Sequence, residues 1–404
     1  MTPEPGGPLE PGGSPEPDRE TRVARRTALG ELAWLFARLG FTAFGGPAAH
    51  IAMMEDEVVR RRGWMTRERL LDLIGAANLI PGPTSTELAI HIGHDRGGWP
   101  GLIVAGACFI LHAVALVLAI AWAYARFGAL PAVGGVLYGV KPVVIAVVVQ
   151  ALWGLGRSAV KSVWLGAVGL AALAASLAGA DELIVLAAAG AAVALGRSAV
   201  RRTAPPAASW APLPLAGAVA GTATGAPTAV GLWPLFWVFL KIGSVLFGSG
   251  YVLLAFLRSD LVERLHWLTE SQLLDAVAVG QITPGPVFTT ATFVGYVLGG
   301  GGGAAVATLG IFLPAFVFVA ISGPLLPRIR SSRIAGAVLD GVNVASLALM
   351  AAVALQMGHA AIVDVPTAAL AVAGAVASIR YRLNSAWLVL AGAIVGAAVV
   401  FGPW

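Results

Sequence analysis

The chain has little charge, a single cysteine and no phosphate loop, and each shortage closes off a class of protein. Charged residues make up 12% of its 404 positions and hydrophobic residues 58%, whereas a soluble protein of that length carries roughly twice the charged share. The one cysteine, Cys108, lies in an apolar run, so neither a disulfide framework nor a thiolate metal site is expected. No GxxxxGK[ST] sequence occurs, and no polar stretch is large enough for a nucleotide-hydrolysing domain. Any transport therefore has to run on ion gradients. Period-2 alternation is absent, which excludes a transmembrane β-barrel. The net charge of +5 needs no nucleic acid to explain it, because Lys and Arg cluster in short loops between apolar runs. No cofactor or metal is expected.

What is present is apolar sequence. Mean hydropathy is +0.83, and runs such as 101–125 and 134–155 are long enough to cross a bilayer. The expected fold is an all-α polytopic membrane protein, with the lipid bilayer as its solvent. Residues 1–28 form a Pro/Gly/Glu-rich tail ending in Arg22, Arg25 and Arg26. That composition reads as disordered and cytoplasmic, and it lacks the apolar core of a signal peptide.

The tripeptide Pro81-Gly82-Pro83 recurs as Pro284-Gly285-Pro286, 203 residues later, inside apolar sequence. At the same offset Trp34, Phe36, Gly40, Phe44 and Gly45 fall on Trp237, Phe239, Gly243, Phe247 and Gly248. Trp64, Thr66, Leu70, Leu71 and Asp72 fall on Trp267, Thr269, Leu273, Leu274 and Asp275. Beyond the tripeptide the offset becomes 202, and Gly93, Gly97, Leu111 and Gly139 meet Gly295, Gly299, Leu313 and Gly341. Two homologous units result, 29–165 and 232–367, joined by linking helices over 166–231 and followed by apolar segments over 368–404.

Loop charges give the orientation. The loop 59–69 carries Arg60, Arg61, Arg62, Arg67 and Arg69, while its partner loop 258–270 carries only Arg258 and Arg264. By the positive-inside rule the two units are inserted in opposite senses in the cytoplasmic (inner) membrane, with the N-terminus cytoplasmic. Segment 30–58 then turns back near Gly45-Gly46-Pro47, and 68–96 re-enters around its Pro-Gly-Pro. Further spans follow near 98–125, 132–155, 162–179, 182–197 and 212–231, and near 304–326, 334–357, 365–379 and 384–402. The expectation is two inverted-topology repeats with broken, re-entrant helices.

Proline-flanked glycines strip backbone donors and break helices. In lipid such breaks survive only when buried in protein or lining a wet cavity, and paired breaks mark a transporter's substrate site. After each break a helix restarts, at Thr84, Ser85 and Thr86 and again at Thr289 and Thr290. Its unpaired N–H groups carry about half a positive charge. Two such ends form a cradle for an anion, with Gly45, Gly46, Gly248, Ser249 and Gly250 allowing close approach. Arg38 and Lys241 occupy equivalent places before the breaks, and a basic residue at membrane depth is a functional candidate; the bland reading is snorkelling. Lys141, with Asn343 at its equivalent place, gets the same reading at lower weight. Glu87 and His91 share a helix face and can relay protons. Asp72 and Asp275 read as caps of the short helices after Trp-x-Thr, with proton carriage as the alternative. Ser249 in Gly248-Ser249-Gly250 has no nearby histidine as base, so an intramembrane hydrolase, or any enzyme, is not expected.

At these residues the chain resembles the chromate ion transporter (CHR) family in its long, two-domain form. The resemblance is carried by Phe44-Gly45-Gly46-Pro47, the acidic Glu55-Asp56-Glu57, Trp64 and the run from Asn78 through Pro81-Gly82-Pro83-Thr84-Ser85-Thr86-Glu87 to Gly93. In the second unit it continues through Phe247-Gly248-Ser249-Gly250-Tyr251, Gln281-Ile282-Thr283-Pro284-Gly285-Pro286-Val287, Leu313-Pro314-Ala315-Phe316 and Gly341-Val342-Asn343. His112 departs from the Leu-Pro that such proteins keep. The resemblance implies chromate export driven by the proton gradient, as an antiporter conferring chromate resistance, with sulfate as the look-alike. Chromate or sulfate, protons and a second copy of the chain are the partners expected. Cysteines placed along 59–69 are expected to react with impermeant reagents only from the cytoplasmic side; labelling from outside overturns this topology.

Overall fold

The computed structural model describes residues 17–42, 47–128, 130–199, 230–247, 250–381 and 383–401. Gly45, Gly46, Gly248 and Ser249 lie outside the described residues, as do 1–16 and most of the span expected near 212–231. Every described element is a helix, and the same order runs twice. The first half has α1 (Pro17–Thr42), α2 (Pro47–Glu55) with a π turn (Asp56–Arg61), α3 (Arg67–Ala77), α4 (Thr84–Phe127), α5 (Pro131–Ala159), α6 (Val163–Leu177) and α7 (Glu182–Ala199). The second has α8 (Leu232–Val245), a 3₁₀ turn (Gly250–Val252) into α9 (Leu253–Leu257) with its π turn (Arg258–Arg264), α10 (Glu270–Ile282), a 3₁₀ turn (Val287–Thr289) into α11 (Thr290–Ser331), α12 (Arg333–Ala361), α13 (Val365–Tyr381) and α14 (Ser385–Phe401). The chain is an all-α polytopic membrane protein. Four helices are long and apolar enough to cross a membrane, over Thr84–Phe127, Val133–Ala159, Val287–Ser322 and Ile334–Ala361.

Two expectations change at helix starts. α1 begins at Pro17, inside the segment read as a disordered tail, where the stretch 18–26 carries four arginines and no Gly or Pro, a composition that favours helix. The caps after Trp-x-Thr are the threonines rather than Asp72 and Asp275. Thr66 Oγ1 accepts from Arg69 N at 3.2 Å. Thr269 and Gln272 form a reciprocal capping box. Both aspartates sit inside their helices, past the turn where a cap acts.

The long helices α4 and α11 are each two arms folded against one another. Gly98 (φ 60°) interrupts the first; Gly299 and Gly300 (φ 60°) interrupt the second. A methyl added at Gly93 would run into the Gly101 carbonyl, and one at Gly295 into the Gly303 carbonyl. Arms 84–97 and 99–127 are therefore antiparallel, with bare glycines letting the backbones touch. The arm 84–97 also returns toward the start of α3, where Arg69 Nη2 bonds Asp95 Oδ1 at 2.5 Å. Arg62 and Arg96 both lie over the Trp64 ring, 5.1 Å from its centroid. The feet of this helix–break–helix thus meet, and the Pro-Gly-Pro forms its tip.

The two halves complete each other. α1 packs on α4 and α8 on α11 within each half, whereas α5 lies against α13 and α14, and α12 against α6 and α7. These exchanged crossings run over small residues: Gly139 abuts Gly392 and Gly396, and Gly341 abuts Ala189 and Gly190. The crossing is pinned at its ends by Tyr138, which donates to Asp364 Oδ2 at 2.6 Å, and by Asp340, which takes Lys161 at 3.2 Å and Arg197 at 2.7 Å. Hydrogen bonds from Tyr138, then from Thr367, hold the exposed Asp364 carboxyl below its ordinary pKa.

One buried polar cluster bridges the halves. Asp275 of α10, 3% exposed, takes a hydrogen bond from Tyr124 of α4 at 2.8 Å and pairs with Lys141 of α5 at 3.2 Å. Lys141 also donates to Ser271 Oγ at 2.6 Å. Lys141→Met leaves a buried carboxylate without its cation and is expected to cost about 3 kcal/mol, more than half of it regained in Lys141→Met/Asp275→Leu. Denaturation of the purified protein reads this, and a double variant no more stable than the single one refutes the coupling. Gly139→Leu is expected to lower the melting temperature further than Gly154→Leu, since nothing lies within 4 Å of a methyl at Gly154; equal effects would refute the close crossing.

Candidate functional site: a cleft where the two breaks meet

Each Pro-Gly-Pro folds as it does because its glycine takes a backbone conformation that L side chains avoid, with φ at 142° for Gly82 and 105° for Gly285. The Gly82 N–H donates across the halves to the Leu246 carbonyl at 2.7 Å, just before the break that follows α8. The contacts are reciprocal. A methyl on Gly82 would lie 3.6 Å from Ala315 Cβ in the second half, and one on Gly285 2.8 Å from Ala113 Cβ in the first. His112, the departure from the Leu-Pro pattern, uses its ring as a wedge between Gly40 and Gly285, with Nε2 3.2 Å from a methyl on Gly285.

Between the two tips lies a small cleft. The first half contributes Pro47 and His50 from α2 and Pro83, Thr84 and Ser85 from the start of α4. The second contributes Gly250 and Pro286, Val287 and Phe288. At the repeat offset Pro47 corresponds to Gly250, Pro83 to Pro286, Thr84 to Val287 and Ser85 to Phe288. Pro47 opens α2, Gly250 the turn into α9, Thr84 opens α4 and Val287 the turn into α11. Two helix starts and two 3₁₀ turns that lead into helices therefore border one place, and a helix start carries unpaired N–H groups and a positive dipole end. Among the described lining residues no Asp or Glu occurs, and His50 is the one titratable side chain. That arrangement suits an anion.

The structure brings together Pro83, Thr84, Ser85, Gly250 and Pro286 on the cleft wall, with Pro81, Gly82, Pro284 and Gly285 forming the tips behind it. Thr289 and Thr290 are buried but turn their hydroxyls back to the Pro286 and Val287 carbonyls, at 2.9 and 2.8 Å. Thr86 is buried one residue beyond the lining, its hydroxyl without a partner.

Arg38 and Lys241 do not line the cleft. Each meets a buried carboxylate on a π turn: Arg38 pairs with Glu57, and Lys241 with Asp260 at 2.5 Å. Arg61 and Arg62 add to Glu57 at 3.4 and 3.3 Å, and Arg264 adds to Asp260 at 2.9 Å. Glu57 and Asp260 stand 203 residues apart, as do Arg38 and Lys241 and Arg61 and Arg264, so the ion cluster is duplicated except for Arg62, whose counterpart is Leu265. Its acidic members escaped the repeat comparison because one is Glu and the other Asp.

Glu87 is fully buried. Its carboxyl lies against Gly82, where an added methyl would strike Oε1, and neither oxygen has a hydrogen-bond partner. One turn on, His91 is buried with Nε2 likewise without a partner. The two aligned aspartates differ sharply: Asp72 is exposed, whereas Asp275 belongs to the buried cluster with Lys141 and Tyr124. His50 was not singled out from sequence, since the second half has Leu253 at its place and a search for duplicated residues passes over it.

The chromate transporter family model matches the chain twice, over residues 30–195 and 233–397. Both matches run past 165 and 367 to take in α6 and α7, and α13 and α14. A chromate transport protein of Cupriavidus metallidurans is 33% identical over 398 residues, covering 94% of this chain and 96% of that protein. A chromate transport protein of Pseudomonas aeruginosa is 31% identical over 378 residues, 89% of this chain and 90% of its own. An uncharacterized transporter of Methanocaldococcus jannaschii is 25% identical over 336 residues, 80% of this chain and 82% of its own. No solved structure matches the chain. With two matches that together span most of its length, and relatives above 30% identity along nearly all of it, the chain belongs to the chromate transporter family.

Proposed function

We propose that the chain exports chromate across the cytoplasmic membrane, powered by the proton-motive force, and so confers chromate resistance. The observation that carries this reading is that helix starts and helical turns from both halves border one cleft with no acidic side chain among its described lining residues. A tetrahedral dianion there accepts from first-turn N–H groups and from the Thr84 and Ser85 hydroxyls. The two halves act as inverted repeats whose tips exchange exposure to the two sides, with the site fixed between them. Arg38 and Lys241, each held by its buried carboxylate, set the walls of α1 and α8 and add positive field without entering the cleft. Glu87, buried behind Gly82 with no cation against it, is the carboxyl proposed to take up and release a proton, with His91 next along the arm.

The driving force is ample. An inside-negative potential favours outward movement of a dianion by about 5 kcal/mol per 100 mV. Sulfate is the second reading, because it shares chromate's shape and charge and donor placement separates the two poorly.

Proteoliposomes with an imposed potential and pH gradient, loaded with labelled chromate or sulfate, test this. Saturable chromate flux is expected. Ser85→Asp, which puts a carboxylate into the cleft, should lower it at least about tenfold, equivalent to 1.4 kcal/mol. Arg38→Ala and Lys241→Ala should abolish chromate resistance in cells while the protein stays in the membrane. Sulfate flux above chromate flux favours the second reading. Non-saturable flux overturns carriage in favour of a channel, and a Ser85→Asp protein as active as the parent overturns the cleft.

A further inference from the structure

Three residues at the foot of each half form the same ion triad with every sign reversed. In the first half Glu55 lies between two arginines, Arg67 at 3.3 Å and Arg60 at 3.9 Å. At the repeat offset of 203 these positions are Arg258, Glu270 and Glu263. Arg258 pairs with Glu263 and, at 2.6 Å, with Glu270. The outward members differ in sign as well. Arg60 and Arg67 are 69% and 67% exposed over Glu55 at 24%. Glu263 and Glu270 are 50% and 31% exposed over Arg258 at 14%. One foot thus shows solvent a pair of cations and the other a pair of carboxylates.

The arm 99–127 of α4 sets the two feet apart. Gly101 lies against Gly93, two residues short of Asp95 in the first foot. His112 reaches Gly285 at the second tip, and Tyr124 bonds Asp275, five residues into α10 from Glu270. From Gly101 to Tyr124 is about 35 Å of helix, so the feet lie toward opposite ends of that arm with the tips between. Each triad is also tied to the cleft by a short helical segment. Pro47 lines the cleft and Glu55 ends the same helix, about 12 Å away. Gly250 lines it from the other half, and Arg258 follows by way of α9.

The neighbouring ions do not account for the difference. The cluster on the adjoining π turn carries more basic than acidic groups in both halves, around Glu57 and around Asp260. Membrane insertion asks for Lys and Arg on the cytoplasmic side and is nearly indifferent to Asp and Glu. It explains Arg60 and Arg67, but not their replacement by two glutamates around an inward arginine. Exposed ion pairs add little stability, so the fold does not require the reversal either.

Resting on the anion-transport reading above and the opposed insertion it uses, we propose that the triads are electrostatic vestibules of opposite sign. The Arg60/Arg67 face gathers dianions from the cytoplasm toward the cleft, and the Glu263/Glu270 face turns them away on the outer side. A unit charge about 12 Å from a dianion in water changes its local concentration about threefold before screening. Two triads of opposite sign therefore separate the faces by about tenfold. This field alters half-saturation on each face and leaves untouched the gradient at which transport stops, which the driving force sets.

The test uses everted and right-side-out membrane vesicles carrying the full-length protein, with labelled chromate in mildly alkaline buffer supplied to one face at a time. At about 10 mM salt the half-saturation concentration is expected to be about tenfold lower on the cytoplasmic face, and at about 0.5 M the ratio should shrink below about twofold. Arg258→Glu/Glu263→Arg/Glu270→Arg writes the first triad into the second half with both ion pairs kept. It should lower the outer half-saturation about tenfold and leave the cytoplasmic value within about twofold. A ratio near one at low salt, or one that salt does not change, overturns the proposal, as does a triple variant with the parent's outer value. The first two results need no variant and stand even if the triple variant does not fold. Impermeant labelling of Arg60→Cys and Glu263→Cys in a Cys108→Ala background separates the premises. Reaction from the same side removes opposed insertion, and the proposal with it. Reaction from opposite sides with equal half-saturations removes the vestibules alone, and an absence of saturable flux removes the transport reading.

Discussion

A helix broken inside a membrane must find partners for the backbone groups it releases, and this chain meets that demand by setting each break against the other. The Gly82 N–H, freed by its flanking prolines, reaches the Leu246 carbonyl of the other half. Gly82 and Gly285 then rest on Ala315 and Ala113. Neither break has a place to exist without its counterpart, so the cleft between them is a direct product of backbone satisfaction. The glycine-faced hairpins of α4 and α11 hold the restarted helices in place, and the exchanged packing of α5 and α12 locks one half onto the other. Each layer follows from the need to bury the layer inside it.

Duplication supplies two copies of every element, but the copies have diverged where charge is concerned. Lys141 and Tyr124 neutralise Asp275 in one half, while Asp72 at the matching place is exposed. Glu87 and His91 face Thr290 and Phe293 across the pseudo-symmetry, and His50 faces Leu253. The ion pairs Glu57–Arg38 and Asp260–Lys241 are kept on both sides. The symmetric parts shape the cleft; the asymmetric parts give the two halves different electrostatic character.

Much of this was legible in sequence because it is written as repetition. The offset of 203 located the breaks and the short capped helices, the offset of 202 aligned the glycine hinges, and hydropathy placed α5 through α7 and α12 through α14. The fold of 68–96 back on itself was legible from the Pro-Gly-Pro, and Arg69 meets Asp95 at the feet of that segment. The exchange of α5 and α12 was not legible, since an apolar helix face does not name its partner and the glycines at Gly139 and Gly341 fit any close crossing. Arg38 and Lys241 looked like open cations because Glu57 and Asp260 lie 19 residues further along the chain in each half. His50 stayed hidden for the opposite reason: it has no duplicate, and its meaning comes from three other chain segments that reach it only in the folded state.

The exchanged packing also sets an order on biosynthesis. α5 enters the bilayer long before α13 and α14 are translated, so the glycine face at Gly139 first meets lipid or an insertion factor. Lys141 must likewise wait for Asp275 before its charge is neutralised. The first half therefore spends its early life as an unfinished surface, and maturation proceeds when the later helices slot into grooves already waiting for them. Ribosome pausing between the halves, or a shortage of insertion chaperones, would expose that surface to quality control.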